Sequence, residues 1–507
     1  MRGSRPERVR EAARRVTSAP SSRRWTRERA SGYIRRQGRR WCRSRSMNDI
    51  VCRSPIDGSE LARRPAASDA ALPGLVEAAR AAQREWASVP VAERSAHVLA
   101  FLDAMLAMNQ EIVPELALQM GRPVRYGGEF GGFEERVRYV AAMAESALAP
   151  LIPPDERPGF RRYIKRDPLG LVLVVAPWNY PYLTAVNTIA PALIAGNAVF
   201  LKHAAQTILV GERFQTAMDR AGLPAGLFTN LVLTHEQTSR LIGSGAVDFV
   251  NFTGSVEGGR AIERAAAGTF TGLGLELGGK DPAYVRADAD FDFAVANLVD
   301  GAFYNSGQCC CGIERIYVHE SLYDRFVGRF VELTSNYVLG NPLDEATTLG
   351  PMAQGRFADL IRRQTAEATA KGAKAHIDPA SFPASREGTP YLAPQVLTGV
   401  DHSMSVMREE SFGPVVGIMK VKDDAEALAL MNDSVYGLTA SIWTADLDAA
   451  ERLGDRIETG TVFMNRCDYL DPGLAWTGVK DTGRGASLSR IGFEMLTRPK
   501  SFHLRHG

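Results

Sequence analysis

Three adjacent cysteines, Cys309, Cys310 and Cys311, stand in the run FYNSGQCCCG (303–312) and make up half of the six cysteines in a chain of 507 residues. A cysteine thiolate is the most nucleophilic side chain near neutral pH, so such a run can attack a carbonyl and hold an acyl group as a thioester. Cysteine is also a small buried hydrophobe, and the run alone leaves that reading open. No HxxxH or CxxC pair sets metal ligands on one face, so no metal is expected. The second chemical feature is TGSVEGG (253–259), in which Gly254, Gly258 and Gly259 open a helix after the strand-like VDFVNF (247–252). Free amides and the helix dipole suit a pyrophosphate there; a glycine-rich turn needing positive φ is the other reading. No GxGxxG opens the first βα turn, and GGK (278–280) is followed by Asp281 rather than Ser or Thr, which excludes a P-loop.

These residues need a scaffold. From Pro73 to about Met120, Ala, Leu, Val and Glu recur at helical spacing broken by Pro90, which predicts two amphipathic helices covering one face of a sheet. The run LVLVVA (171–176) is continuous and rich in β-branched residues, as in a strand buried on both faces, and Pro177 with Asn179 ends it. NAVFLK (197–202), FTNLVL (228–233) and VDFVNF follow, separated by helical stretches. This βαβ repetition predicts a parallel, doubly wound sheet whose ligands bind beyond the carboxyl ends of the strands. A second α/β series begins near Asp281, with an apolar helix before Asn305, the strand ERIYV (314–318), and strands near Val415, Ala440 and Thr461. Two α/β domains sharing a cleft are expected.

Taken together, FYNSGQCCCG, GLELGGKDP (274–282), EESFGPV (409–415) and APWNYP (176–181) resemble the aldehyde dehydrogenase superfamily in order and spacing, from about Ile56 to the C-terminus. The resemblance implies a cofactor domain over 47–149 and 167–277, a catalytic domain over 278–477, and bridging or oligomerisation segments at 150–166 and 478–507 with a small β arm. It implies oxidation of an aldehyde to the acid with NAD or NADP, and it makes Cys310 the nucleophile. Asn179 and the Cys310 amide would then hold the oxyanion, each such donor being worth about 3 kcal/mol of barrier. Glu276 would activate the water that hydrolyses the thioester, and its presence favours a free acid over transfer to coenzyme A. Trp178, Lys202, Gly254, Ser255, Gly259, Glu410 and Phe412 match cofactor contacts. Read singly, Asn179 could close a turn, Glu276 could end an exposed strand, and Lys202 could be a solvated charge.

One departure bears on the cofactor. NAD-preferring members carry Glu three residues after the lysine, and this chain has Ala205, so repulsion of a 2′-phosphate is absent and both cofactors are expected, NAD first. Aligning the motifs puts Tyr180, Leu183, Thr184, Asn187, Tyr304, Leu470 and Trp476 on a substrate funnel suited to a medium-sized apolar or aromatic aldehyde. Arg466 either reaches that funnel to pair with a substrate carboxylate or pairs structurally with Asp468 or Asp471. The family implies a homodimer or homotetramer. FRRYIKR (160–166) and SFHLRHG (501–507) alternate apolar and charged residues, as open edge strands do, while the tail GRGASLSRIGF lacks the acidic residue of the family's usual ending.

Composition bounds the setting. The net charge of +2 hides a division, since residues 1–46 hold sixteen Arg against three Glu and leave −11 for the rest. The leader is read as a start placed too far upstream, an Arg-rich organelle-targeting segment, or a polyanion-binding arm, and it is expected to be disordered. With no apolar stretch near 20 residues and no disulfide framework, a cytoplasmic enzyme with no membrane or nucleic-acid partner is expected.

Overall fold

The computed structural model describes residues 49–506, so the basic leader and its three readings lie outside the described residues. β1 (Asp49–Arg53) and β2 (Glu60–Pro65) form an antiparallel hairpin, and β3 (Phe160–Pro168) belongs to a two-stranded arm. β4 (Leu171–Val175), β5 (Ala198–Lys202), β6 (Phe228–Asn230), β7 (Phe249–Thr253) and β8 (Gly272–Glu276) are parallel, in the order β8-β7-β4-β5-β6. All five residues of β4 and of β5 are buried, because helices cover both faces of this sheet. The strand order reverses at β4, which lies between β7 and β5 and leads into APWNYP.

Past Glu276 the chain crosses to a second sheet through LGGK. This sheet comprises β9 (Asp281–Val285), β10 (Ile313–His319), β11 (Lys374–Ala375), β12 (Gln395–Thr398), β13 (Val415–Val421), β14 (Thr439–Trp443) and β15 (Thr461–Met464). Its order is β11-β12-β13-β10-β9-β14-β15, parallel apart from β11. β16 (Gly483–Arg484) returns to the first sheet, antiparallel to β8, so the segment after residue 478 contributes a strand to that sheet as well as to the arm. β17 (Thr497–Arg505) pairs antiparallel with β3 over nine residues, Thr497 opposite Pro168 and Arg505 opposite Phe160, with Tyr163 stacked on Phe502 at 4.6 Å. The two segments read as separate open edges therefore satisfy each other first.

The stretch from Pro73 to Met120 holds three helices, Leu72–Trp86, Val91–Leu106 and Asn109–Met120, where periodicity predicts two. The last two bury apolar residues on either side of Ala107–Met108, so the pattern runs through the break without signalling it. β6 is shorter than FTNLVL because the chain leaves the sheet after Asn230. Among the described residues no helix is long and apolar enough to cross a membrane.

Candidate active site

The cysteine run sits just before β10, on a turn that only a firm surround could hold. Asn305, Ser306 and Gly307 have φ of 53°, 58° and 69°, and left-handed backbone costs roughly 1–2 kcal/mol per non-glycine residue. Gly307 has no alternative, since a Cβ there would lie 2.3 Å from the Gly413 carbonyl. Asn305 Nδ2 donates to the carbonyls of Gln308 (3.2 Å) and Asn179 (3.4 Å), and Ser306 Oγ to Gly350 O (3.0 Å). Gln308 Oε1 accepts from the Ala353 amide at 2.8 Å. Cys309, Cys310 and Cys311 thereby come to lie against Leu438, Leu470, Trp476 and Leu488. Gly279 of LGGK packs onto them so closely that a Cβ would sit 2.7 Å from the Cys310 carbonyl.

The three sulfur atoms lie within 4.8 Å of one another, and Cys309 and Cys311, 3.5 Å apart, share a hydrogen bond and form no disulfide. They are the one group of three or more metal-type ligands brought together among the described residues. Hydrogen bonding with Cys309 and burial push the Cys310 thiol above its usual range. Cys309, bonded by the Cys310 and Cys311 thiols, the Cys311 amide and the Tyr180 hydroxyl, is held below it. The three thiols titrate as one coupled group, so a single negative charge is shared among them.

Asn179 is brought to the cysteines by a buried ion pair. Arg122 and Glu129 meet at 2.5 Å with side chains 2% exposed. Arg122 donates from Nη2 to Asn179 O (2.5 Å) and from Nε to Asn305 Oδ1 (3.3 Å), and its guanidinium lies over the Tyr180 ring. Glu129 Oε2 accepts the Tyr182 (3.1 Å) and Leu183 (2.8 Å) amides, the orphan donors at the start of the helix Pro181–Ala195. One pair thus fixes the PWN turn, the helix behind it and the cysteine loop. No described residue hydrogen-bonds the Asn179 side chain, which leaves its amide free to donate.

Glu276 closes β8. Ser487 Oγ donates to its Oε1 at 2.6 Å and Thr253 Oγ1 to its Oε2 at 3.3 Å. Burial raises this carboxyl above the ordinary range, opposed by those two hydroxyls. Ser487 also exchanges backbone hydrogen bonds with Trp476 (2.8 and 2.9 Å), so the Glu276 support and the wall of the cysteine cluster are one piece.

The expected cofactor residues gather at the carboxyl ends of the first sheet and the facing edge of the second. Lys202 ends β5, and burial pulls its ammonium down to about 8. A cavity of about 50 Å³ is lined by Lys202, Ala205, Asn230 and His235 among others, with no carboxylate in its wall. Ser255 caps the helix Val256–Ala266, accepting from the Gly258 amide at 3.2 Å, and at Gly259 a Cβ would meet Leu277 at 2.6 Å. Glu410 accepts the Gly279 amide at 2.9 Å, and burial, then Glu314, raises it to about 8. Phe412, at φ 52°, is held there by Glu314, which accepts the Ser411 and Phe412 amides at 2.8 Å and pairs with buried Lys280 at 2.5 Å. Trp178 packs between Phe412 and Phe357.

Of the residues expected on a substrate funnel, Tyr180 hydrogen-bonds Cys309, Leu470 and Trp476 touch the cysteine cluster, and Tyr304 lies on the loop before it, packed on Tyr126 at 4.7 Å. Leu183, Thr184 and Asn187 follow Tyr180 along the next helix, with Thr184 bonded back to Tyr180 O at 2.8 Å. Arg466 stands apart: it is exposed, stacks 3.7 Å over the Tyr469 ring, and forms no ion pair with Asp468 or Asp471. Sequence reasoning missed Arg122, Glu129, Arg136, Glu314 and Ser487, each of which acts through a partner distant in the chain. A cavity of about 830 Å³ between the β1–β2 hairpin and residues 384–391 holds none of the residues named for chemistry.

The family model described as "Aldehyde dehydrogenase family" matches residues 41–502. A succinate-semialdehyde dehydrogenase [NADP(+)] of Deinococcus radiodurans is 34% identical, covering 88% of this chain and 93% of that one. A phenylacetaldehyde dehydrogenase of Pseudomonas fluorescens is 33% identical, covering 92% and 94%. A solved betaine aldehyde dehydrogenase of Staphylococcus aureus in complex with NAD+ superposes with a TM-score of 0.84 at 28% identity, covering 91% and 92%. A match over most of the length, to relatives named as aldehyde dehydrogenases, agrees with a cysteine run, a buried carboxyl and an asparagine turn set at the ends of two largely parallel sheets: this chain belongs to the aldehyde dehydrogenase family, the NAD(P)-dependent oxidoreductases of aldehydes.

Proposed function

We propose that Cys310 attacks the aldehyde carbon, that the resulting thiohemiacetal loses hydride to give a thioester, and that water activated by Glu276 releases the acid. The observation that carries this reading is the junction at LGGK: the strand ending in Glu276 runs directly into the two glycines that cradle Cys310 and Glu410. Cys310 attacks as the thiolate, having given its proton to water, and its sulfur forms the new bond to carbon as the carbonyl π pair moves onto oxygen. The Asn179 side-chain amide and the Cys310 amide then stabilise the oxyanion, on turns that Arg122 braces by donating to the Asn179 carbonyl and to Asn305 Oδ1. Glu276 takes a proton from water once ionised, and Ser487 and Thr253 favour that state.

The residues present fit a nicotinamide dinucleotide, which supplies the hydride acceptor when bound. Lys202 is a buried cation whose carboxylate-free surroundings tolerate a ribose hydroxyl or a 2′-phosphate alike. The amides opening the helix Val256–Ala266 suit a pyrophosphate. Glu410 is placed to accept from the second ribose, with Phe412 and Trp178 walling the ring. Use of both NAD and NADP follows, and the first sheet is the cofactor domain, the second the catalytic one. The outer edge of β17 suits pairing with a second copy, as a dimer or tetramer requires.

Glu276→Gln separates the two halves of the reaction. Mixed rapidly with aldehyde and cofactor, it should release one equivalent of reduced cofactor per site and then stall. Steady turnover at the wild-type rate would show that another group activates water.

A further inference from the structure

The helix Phe130–Leu148 lies along Pro181–Ala195, and they approach closely at Gly132, where a Cβ would sit 3.2 Å from Leu183 Cδ2. One turn on, Arg136 Nη1 donates to Leu183 O and to Asn187 Oδ1, both at 3.0 Å. Arg136 is 7% exposed and Asn187 2%, and Asn187 Nδ2 has no hydrogen-bond partner. Among the described residues no carboxylate lies within ion-pair distance of Arg136, and its Nε and Nη2 make no hydrogen bond. The nearby acids are already engaged, Glu129 by Arg122 and two amides, Glu276 by Ser487 and Thr253. Its two partners lie on the helix Pro181–Ala195, which starts just after Tyr180, the residue whose hydroxyl bonds Cys309, and the charges of Glu129, Glu276, Cys311 and Cys310 all act on it.

The same helix spans the funnel. Glu135 accepts from Tyr469 Oη at 2.6 Å, and Tyr139 packs on Gly473, tying the helix to the loop that carries Leu470 and Trp476. Arg136 lies on the flank of that face, turned toward Leu183 and Asn187, to which it donates. A buried guanidinium without a counter-ion and a buried amide without an acceptor are each unfavourable, and an anion with two acceptor oxygens relieves both.

We propose that Arg136 and Asn187 form an anion seat in the substrate funnel, and that the aldehydes this enzyme prefers carry a carboxylate remote from the carbonyl. This rests on the reading of Cys310 as the nucleophile and gives the seat to a buried residue rather than to exposed Arg466. Arg136 sets specificity, and Asn187 orients the bound oxygens.

The probes are 4-oxobutanoate and butanal, matched in carbon number. The wild-type enzyme should favour 4-oxobutanoate by roughly tenfold or more in kcat/KM, and succinate should inhibit butanal oxidation competitively. Arg136→Met should raise KM for 4-oxobutanoate far more than it lowers kcat, collapse the preference and abolish succinate inhibition; Arg136→Lys should restore part of each. Equal kcat/KM for the two aldehydes in wild type without succinate inhibition would overturn the seat while leaving the catalytic reading intact. So would a loss of the same factor on both aldehydes in Arg136→Met, which marks a tie between helices. If the variant fails to fold, the wild-type preference and succinate inhibition decide. Oxidation of neither aldehyde would remove the catalytic reading and the seat with it.

Discussion

Ser487→Ala isolates the support under Glu276. The hydroxyl donates at 2.6 Å to a carboxyl that burial raises, so it favours the charged form and lowers the pKa. A hydrogen bond to a charged group is worth about 1.5–3 kcal/mol. At 1.36 kcal/mol per pH unit, its loss moves the Glu276 titration up by roughly 1–2 units. The backbone bonds between Ser487 and Trp476 survive in alanine, so the wall of the cysteine cluster stays in place. The assay is the pH dependence of kcat under conditions where thioester hydrolysis limits turnover. Glu276 works as the carboxylate, so activity rises with pH through its titration, and that limb should shift to higher pH in the variant. Below the limb the rate falls by about ten- to a hundredfold, and above it the rate recovers. Thr253→Val, which removes a bond of 3.3 Å, should shift the limb less. An unmoved limb with a uniformly lower rate would refute the reasoning, since it would mean that Ser487 supports packing and leaves the base alone.

Two further outcomes follow from the geometry. Glu129→Gln strands the Arg122 charge in the interior and loosens the PWN turn, so it should lower stability by about 3–5 kcal/mol and cut kcat as well; a denaturation midpoint within error of wild type would contradict the pairing. Ala205→Glu places a carboxylate in the cavity beside Lys202 and His235, and the ratio of kcat/KM for NADP over NAD should fall about tenfold or more; an unchanged ratio would put the 2′-phosphate elsewhere.

What was legible in the chain divides by range of interaction. β4 and β5 read clearly because burial on both faces selects apolar residues throughout β4 and in β5 up to its terminal Lys202, and Cys310, Glu276, Asn179 and Glu410 stand inside motifs whose order carries them. The break at Ala107–Met108 was hidden because both helices bury residues at the same spacing. Arg122, Glu129 and Ser487 gave no local sign, since each acquires its role from a partner reached only after folding: Ser487 lies 211 residues from Glu276, and Arg122 lies 183 from Asn305. Arg136 and Arg466 illustrate the same limit. Both are arginines in polar runs, and only packing makes one a buried cation and the other an exposed side chain on a tyrosine ring.

Three thiols within 4.8 Å make the identity of the attacking sulfur the point to test directly. Glu276→Gln enzyme, given aldehyde and cofactor and quenched with acid, should carry one acyl group per chain, and fragmentation of the peptide spanning 303–312 should place it on Cys310. An acyl group on Cys309 or Cys311, or a burst of reduced cofactor with no acyl adduct on this peptide, would contradict the thioester assigned to Cys310.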